Sequence, residues 1–362
     1  MGKRRFAVMS GFLGAGKTTT MLTIAKYLKE KGKTAAIISN DLGNANLVDA
    51  LYTAKNHGNA CQIAGGCICY CTPTLVDTIK RMTDAEGADI VMSDIPGCGV
   101  GALDHVYFTL DRDYHDDFEL APFTVVCDPL RLRAIVPEHR DINLPQEMNY
   151  LFRTQLLEAD VIVLNKTDTI TAQERDECLS FIRSAYPGIP VFAASAHTGE
   201  GIAELADYMM EHRARLVEVD TGYGGPEFMA AESKLSWYDR KLFIKKAEPF
   251  DVNEFMCDFA ANVAQRLRRD KGNVPHLKLF ASTASGEYAK ASLIGIDYEL
   301  TFDKRMDERF DAYSVVINAR AACPSMRLDD IMADALTDAV ESGGLFCHVF
   351  STECFGMTDE GK

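Results

Sequence analysis

The chain has 362 residues, 47% hydrophobic and 25% charged, the make-up of a globular protein long enough for two domains. Its net charge of −15 excludes nucleic acid as an expected partner, because a phosphate backbone calls for a basic footprint. No apolar run approaches the roughly 18–20 residues of a membrane helix, and eleven cysteines without a signal-like start point to reduced thiols and a cytoplasmic protein.

Short apolar runs bounded by turn residues recur at 6–9, 35–38, 90–92, 123–127, 161–164 and 191–193. They predict strands buried on both faces of a largely parallel sheet. Amphipathic stretches at 18–31, 73–82, 144–158 and 172–186 predict the helices between them. Residues 1–216 are therefore expected to form a doubly wound α/β domain with its ligand at the carboxyl ends of the strands. The glycine-rich stretch 219–227 predicts a linker, taken as 217–233. In residues 234–362, Val252, Phe255, Met256, Phe259, Val263 and Leu267 line one helical face, and Leu328, Ile331, Met332, Ala335, Leu336 and Val340 line another. Strands are expected near 277–281, 289–295, 298–302 and 313–318, which gives a smaller α+β domain.

Chemistry enters after the first strand. The run Gly11-Phe12-Leu13-Gly14-Ala15-Gly16-Lys17-Thr18 fits the pattern G-x-x-x-x-G-K-[ST]. Its glycines let backbone N–H groups turn around a β-phosphate while the next helix presents its positive end. Lys17 is expected on the β- and γ-phosphates and the Thr18 hydroxyl on Mg²⁺, with Thr19 completing the cradle. Asn165-Lys166-Thr167-Asp168 follows a later strand. There Asp168 can pair with N1–H and N2–H of guanine, Lys166 can lie along the base, and Asn165 can brace the neighbouring loop. Ser195-Ala196 follows the next strand and is placed to offer a backbone N–H to guanine O6. The combination predicts GTP rather than ATP.

Asp94-Ile95-Pro96-Gly97 closes another strand, with Asp94 expected to hold Mg²⁺ through water and the Gly97 N–H to sense the γ-phosphate. Asn40-Asp41-Leu42-Gly43 reads as a first switch, in which Asp41 contacts the metal ion or orients the attacking water; a plain Asx turn is the alternative. Nothing identifies itself as an arginine finger, a group that supplies roughly 10³–10⁵ in rate, so hydrolysis is expected to be slow without a partner or second protomer.

The third feature is Cys67-Ile68-Cys69-Tyr70-Cys71. Three thiols within five residues are dense enough to hold a soft metal, and in an extended segment cysteines at i, i+2 and i+4 share a face. Three thiolates leave one position of a tetrahedral site open to Cys61, Cys98, His57, water or a second protomer's thiol. Cys347, His348 and Cys354 offer a looser second set. His105 and His115 read as surface residues, and Cys127, Cys178 and Cys257 as core.

The glycine loop, residues 39–43, Gly65-Gly66-Cys67-Ile68-Cys69 and the guanine motif together resemble the CobW-type branch of metal-handling GTPases, related to the UreG, HypB and MeaB proteins. The resemblance covers roughly residues 4–215. It implies a P-loop GTPase in which Lys17, Thr18, Asp41 and Asp94 serve hydrolysis. It also implies that Cys67, Cys69 and Cys71 handle Zn²⁺, Co²⁺ or Ni²⁺ for a client metalloenzyme, with a homodimer forming when GTP binds. The family usually has Cys-x-Cys-Cys where this chain interposes Tyr70, and Glu where Asp94 stands. Two other readings stay open: a GTPase chaperone of a corrinoid-dependent methyltransferase or mutase, and a thiol redox sensor on a GTPase scaffold.

Overall fold

Strand β1 (Arg4–Gly11) is buried from Arg5 to its last residue, which only a central strand covered on both faces permits. The computed structural model describes residues 2–40, 48–63, 66–95, 99–136 and 147–356. After β1 come α1 (Lys17–Glu30), β2 (Ala35–Asn40), α2 (Val48–Asn56), β3 (Ala60–Ile63), α3 (Thr72–Asp84) and β4 (Ile90–Asp94). A π-helical turn (Leu103–Phe108) runs into α4 (Thr109–Tyr114), followed by β5 (Phe118–Leu120) and β6 (Thr124–Cys127). Then come α5 (Pro129–Ile135), α6 (Glu147–Leu157), β7 (Val161–Leu164), α7 (Ala172–Ala185), β8 (Val191–Ala193) and α8 (Ile202–Glu211).

Among the described residues these strands make one parallel sheet in the order β3-β2-β4-β1-β6-β7-β8, with β5 also paired to β1. The register brings their carboxyl ends level: Met9 lies opposite Asp94, Gly11 opposite Val126, Asn40 opposite Ile63, and Leu164 opposite both Cys127 and Ala193. The order reverses at β1, between β4 and β6, where a doubly wound sheet leaves its ligand crevice. The α/β class expected from the alternation is the one observed.

The chain divides into two compact units, with the break between residues 228 and 229 and with residues 48–52 counted in the second. That break falls within the stretch read as a linker, where the short helix α9 (Pro226–Glu232) stands. Its proline occupies the first helical position, where a missing N–H costs nothing.

The second unit contains β9 (Ser236–Phe250), α10 (Val252–Arg269), β10 (Asn273–Ser282), β11 (Tyr288–Leu293), β12 (Thr301–Lys304), β13 (Phe310–Ala322), α11 (Ser325–Gly343) and β14 (Phe346–Gly356). Its antiparallel sheet runs β12-β11-β10-β13-β9-β14. Leu277, Leu279 and Ala281 of β10 and Val315, Ile317 and Ala319 of β13 join one core with Phe259 of α10 and Met332 of α11. The intervening Phe280 and Val316 point the other way, as strand alternation requires, and pack with Tyr288 and with Val48, Leu51 and Tyr52 of α2.

Both amphipathic helices expected in this half are present. The sequence reading misses β9 because Asp239, Arg240 and Lys241 interrupt its apolar pattern. The structure pairs these charges sideways: Asp239 accepts from Asn318 Nδ2 at 2.7 Å, and the Arg240 guanidinium lies over the Tyr238 ring. It misses β14 because an edge strand is mostly exposed. The strand expected at 298–302 is displaced to Thr301–Lys304, Tyr298 being taken by a turn to Gly295.

Phe259 is wholly buried at the centre of the second core. Phe259→Ala is expected to cost about 3–5 kcal/mol, read as a lowered midpoint in urea denaturation.

Candidate functional site

The carboxyl edge of the first sheet gathers most of the residues singled out above. At its centre the loop after β1 bends through Gly11 (φ 131°), Gly14 (φ 74°) and Gly16 (φ 96°), backbone conformations that glycine alone adopts readily. A Cβ on Gly11 would sit 2.0 Å from the Val126 carbonyl oxygen, and one on Gly16 would sit 2.5 Å from Asn165 Nδ2. The loop can therefore have this shape only with glycine at positions 11 and 16. Lys17 folds back onto it, donating to the carbonyls of Gly11 (2.9 Å) and Phe12 (3.2 Å). Thr18 is buried at the amino end of α1, and Thr19 is half-buried beside it.

The guanine motif is tied into this loop. Asn165 Nδ2 donates to Ala15 O at 2.7 Å, and Asn165 Oδ1 accepts from Ala196 N at 2.9 Å. Lys166, in the left-handed region at φ 61°, places its Nζ 2.7 Å from Gly14 O. Asp168 is exposed. The structure changes one expectation. The N–H groups of Ser195 and Ala196, expected to meet guanine O6, are spent within the chain on Glu200 O (2.9 Å) and Asn165 Oδ1. The reason is that the Ser195–Gly201 loop closes on itself, with Gly199 N bonded to Ser195 O.

Asp94 ends β4 nearly buried, and its Oδ1 accepts from the backbone N–H of Asn40 at 2.7 Å. A buried hydroxyl on Thr18 and a carboxylate on Asp94 are hard oxygen donors of the kind Mg²⁺ takes, so these residues fit that ion. Asp41, Gly97 and Cys98 lie outside the described residues. The chain re-emerges at Gly99, whose carbonyl accepts from Ser10 Oγ at 3.0 Å, and at Gly101, whose N–H donates to both oxygens of Glu158 at 3.1 and 3.0 Å. Leu103 N adds a third bond to Glu158. Burial pushes the Glu158 carboxyl up to about 8.

The thiol loop lies at the carboxyl end of β2 and β3. It is not extended: Tyr70 N bonds to Cys67 O at 3.0 Å and Cys71 N to Ile68 O at 3.3 Å, two overlapping turns that lead into α3, which Cys71 caps. The turns bring Cys67 Sγ within 2.9 Å of Cys69 Sγ, and the bond between the two thiols holds Cys67 below the ordinary thiol range. Cys71 Sγ lies instead against Gly66. Among the described residues no three His, Cys, Asp or Glu side chains stand together at metal-holding range. His57 Nε2 lies 2.7 Å from Ala35 O, and Cys61 is on β3.

Three further results concern residues the sequence treats differently. Cys347 and Cys354 sit at the two ends of β14, seven residues apart, or roughly 23 Å along a strand, so they form no joint site. His105 is no plain surface residue: its ring centroid is 6.0 Å from that of Tyr70 and 4.8 Å from that of Tyr223, and the two tyrosine hydroxyls are hydrogen-bonded. The interposed Tyr70 thus has a partner, and the Tyr223 ring in turn packs against Gly101. The sequence places Asn40 in the first switch but gives it no role of its own; its Nδ2 donates to Ile63 O (2.9 Å) and Gly66 O (2.8 Å) while its Oδ1 accepts from Ile68 N (2.9 Å). An amide side chain closing the largely apolar strand Ala35–Asn40 is the one signal that marks it.

Two outcomes are expected from this geometry. Asn165→Ala removes bonds to both the phosphate loop and the Ser195 loop, so guanine-nucleotide affinity should fall about tenfold or more, read by titration with a fluorescent GDP, for bonds worth about 1–3 kcal/mol when left unmet. Glu158 has a folded-state pKa above its unfolded value. Its contribution is therefore complete below about pH 4.5 and lost as pH rises through about 8. Thermal melts across that window should show wild type losing stability relative to Glu158→Gln.

The chain matches the CobW/HypB/UreG nucleotide-binding domain family over residues 5–193, a little more than half its length. It is 25% identical over 213 residues to the zinc-regulated GTPase metalloprotein activator 1 of Schizosaccharomyces pombe, covering 55% of this chain and 48% of that protein. It is 29% identical over 191 residues to the zinc chaperone CobW of a Sinorhizobium species (47% and 53%), and 27% identical over 170 residues to the zinc chaperone YeiR of Escherichia coli (47% and 48%). It spans about half the length of these curated relatives. Among solved structures, HypB from Helicobacter pylori in complex with nickel aligns with a TM-score of 0.41 and 18% identity over 58% of this chain and 86% of that one. Zn(II)-bound YjiA GTPase from E. coli aligns with 0.33 and 14% over 92% and 99%. With a match over residues 5–193, which spans the glycine-rich loop after β1 and Asn165–Asp168 after β7, this chain belongs to the CobW/HypB/UreG family.

Proposed function

We propose that the protein binds and hydrolyses GTP and uses its nucleotide state to control a transition-metal ion held by Cys67 and Cys69, with Cys71 completing the set, for delivery to a client metalloprotein. The observation that carries this reading is positional: Asn40, the last residue of β2, is hydrogen-bonded both to the carboxylate of Asp94 at the end of β4 and to the loop that carries the thiol pair. The curated relatives named as zinc chaperones support Zn²⁺ as the cargo. The soft thiolate pair suits that ion, and an incomplete ligand set suits release.

In the hydrolytic half, Lys17 leaves the Gly11 and Phe12 carbonyls for the β- and γ-phosphates, and the amino end of α1 adds its dipole. Asn165 and Lys166 hold the phosphate loop to the base site, and Asp168 reads guanine N1–H and N2–H. Thr18 and Asp94 are the residues that would hold Mg²⁺, which would neutralise phosphate charge when bound. Water attacks the γ-phosphorus, the bond to the β–γ bridging oxygen breaks, and GDP leaves with phosphate. No helix among the described residues is long and apolar enough to cross a membrane.

The test is titration of the reduced protein with Zn²⁺ in the presence of GDP or a non-hydrolysable GTP analogue. The affinities should differ by about 5–150-fold, the usual span of a coupling between sites, and equal affinities would end the proposal. Changing Cys67 and Cys69 together to Ser should abolish tight Zn²⁺ binding and leave nucleotide affinity near wild type. A second reading, a redox pair, draws on the same 2.9 Å separation of the two sulfurs. Protein purified under reducing conditions without any metal would favour it.

A further inference from the structure

Asn40 is almost wholly buried, and its bonds run in two directions. Its backbone N–H reaches Asp94 Oδ1 at 2.7 Å. Its side chain spends both amide hydrogens on Ile63 O and Gly66 O, and its oxygen on Ile68 N. The last two contacts flank Cys67, one on each side. We propose that Asn40 is the positioning residue that converts the setting of the Asp94 carboxylate into the setting of the thiol loop. This rests on the coupling proposed above and assigns it to one side chain.

A buried N–H must keep a partner. When the Asp94 carboxylate is drawn toward a cation at the phosphate loop, the Asn40 N–H must follow it or find another acceptor. Either way the end of β2 shifts. A carboxamide fixed by three hydrogen bonds cannot swing freely to absorb that shift, so it passes to Gly66 and Ile68. Cys67 lies between them, and its sulfur is half of the 2.9 Å pair. The residue type is specific. Aspartate keeps the acceptor for Ile68 N but sets an oxygen against two carbonyls, alanine keeps nothing, and glutamine is one methylene too long for a buried position.

The experiment measures Zn²⁺ affinity by chelator competition in wild type, Asn40→Ala and Asn40→Asp, each with GDP and with a non-hydrolysable GTP analogue. It also follows amide hydrogen exchange across residues 66–71 of wild type in both nucleotide states. The expected result is a wild-type affinity ratio between states that falls toward one in both variants, while they still bind GDP. Protection of the Ile68 amide in wild type should change with the nucleotide. Variants that bind GDP and keep the full ratio would overturn the role of Asn40 and leave the coupling standing. A ratio of one in wild type would remove the coupling itself, and this role with it. Should the variants fail to fold, the wild-type exchange decides: an Ile68 amide indifferent to nucleotide overturns the inference.

Discussion

A parallel sheet covered on both faces leaves polar chemistry only one place to go, the carboxyl ends of its strands. Loops leaving those ends must still satisfy their backbone groups close to the core. Here two buried asparagines do this, one on each side of β1. Asn165 joins Ala15 of the phosphate loop to Ala196, and Asn40 joins Asp94 to the loop that carries Cys67. A carboxamide is the one short side chain that offers donors and an acceptor without charge, and burying it demands that both be met. The nucleotide side and the thiol side are built by the same device.

Much of the nucleotide side is legible in the sequence because its information is local. The bends at Gly11, Gly14 and Gly16 and the left-handed Lys166 belong to motifs a few residues long. The thiol side is less legible because its information is distant. Asn40 meets a loop 26 residues away, and Glu158 meets Gly101 across 57. Neither spacing has a periodicity to find. Alternating cysteines share a face only where the segment is extended, and here it turns for a local reason: the Tyr70 and Cys71 amides find acceptors three residues back.

The second unit shows the same division. Its helices are legible because an apolar face repeats at helical spacing over 18 residues in α10 and 19 in α11. Its longest strand, β9, is not, because its charges are answered by residues far along the chain, Asp239 by Asn318 among them. What periodicity cannot reveal is whether a charged residue in a strand has a cross-strand partner.

The turn in the thiol loop bears on what kind of metal site it can be. Cys67 is fixed through its neighbours by Asn40, and Cys71 is fixed at the first turn of α3, where its carbonyl accepts from Leu75 N at 3.0 Å. Tyr70 is held by Tyr223. In the proposed role, a metal ion meeting Cys67 and Cys69 would find two sulfurs already together, but recruiting Cys71 would mean opening the turn that set them. On the proposed function, that reorganisation weakens binding relative to a closed cage of preformed ligands, as any ordering cost does. It also gives the nucleotide something to act on, since a shift at the end of β2 of the right sense would open the turn without any ligand having to travel far. A site built this way favours transfer over storage.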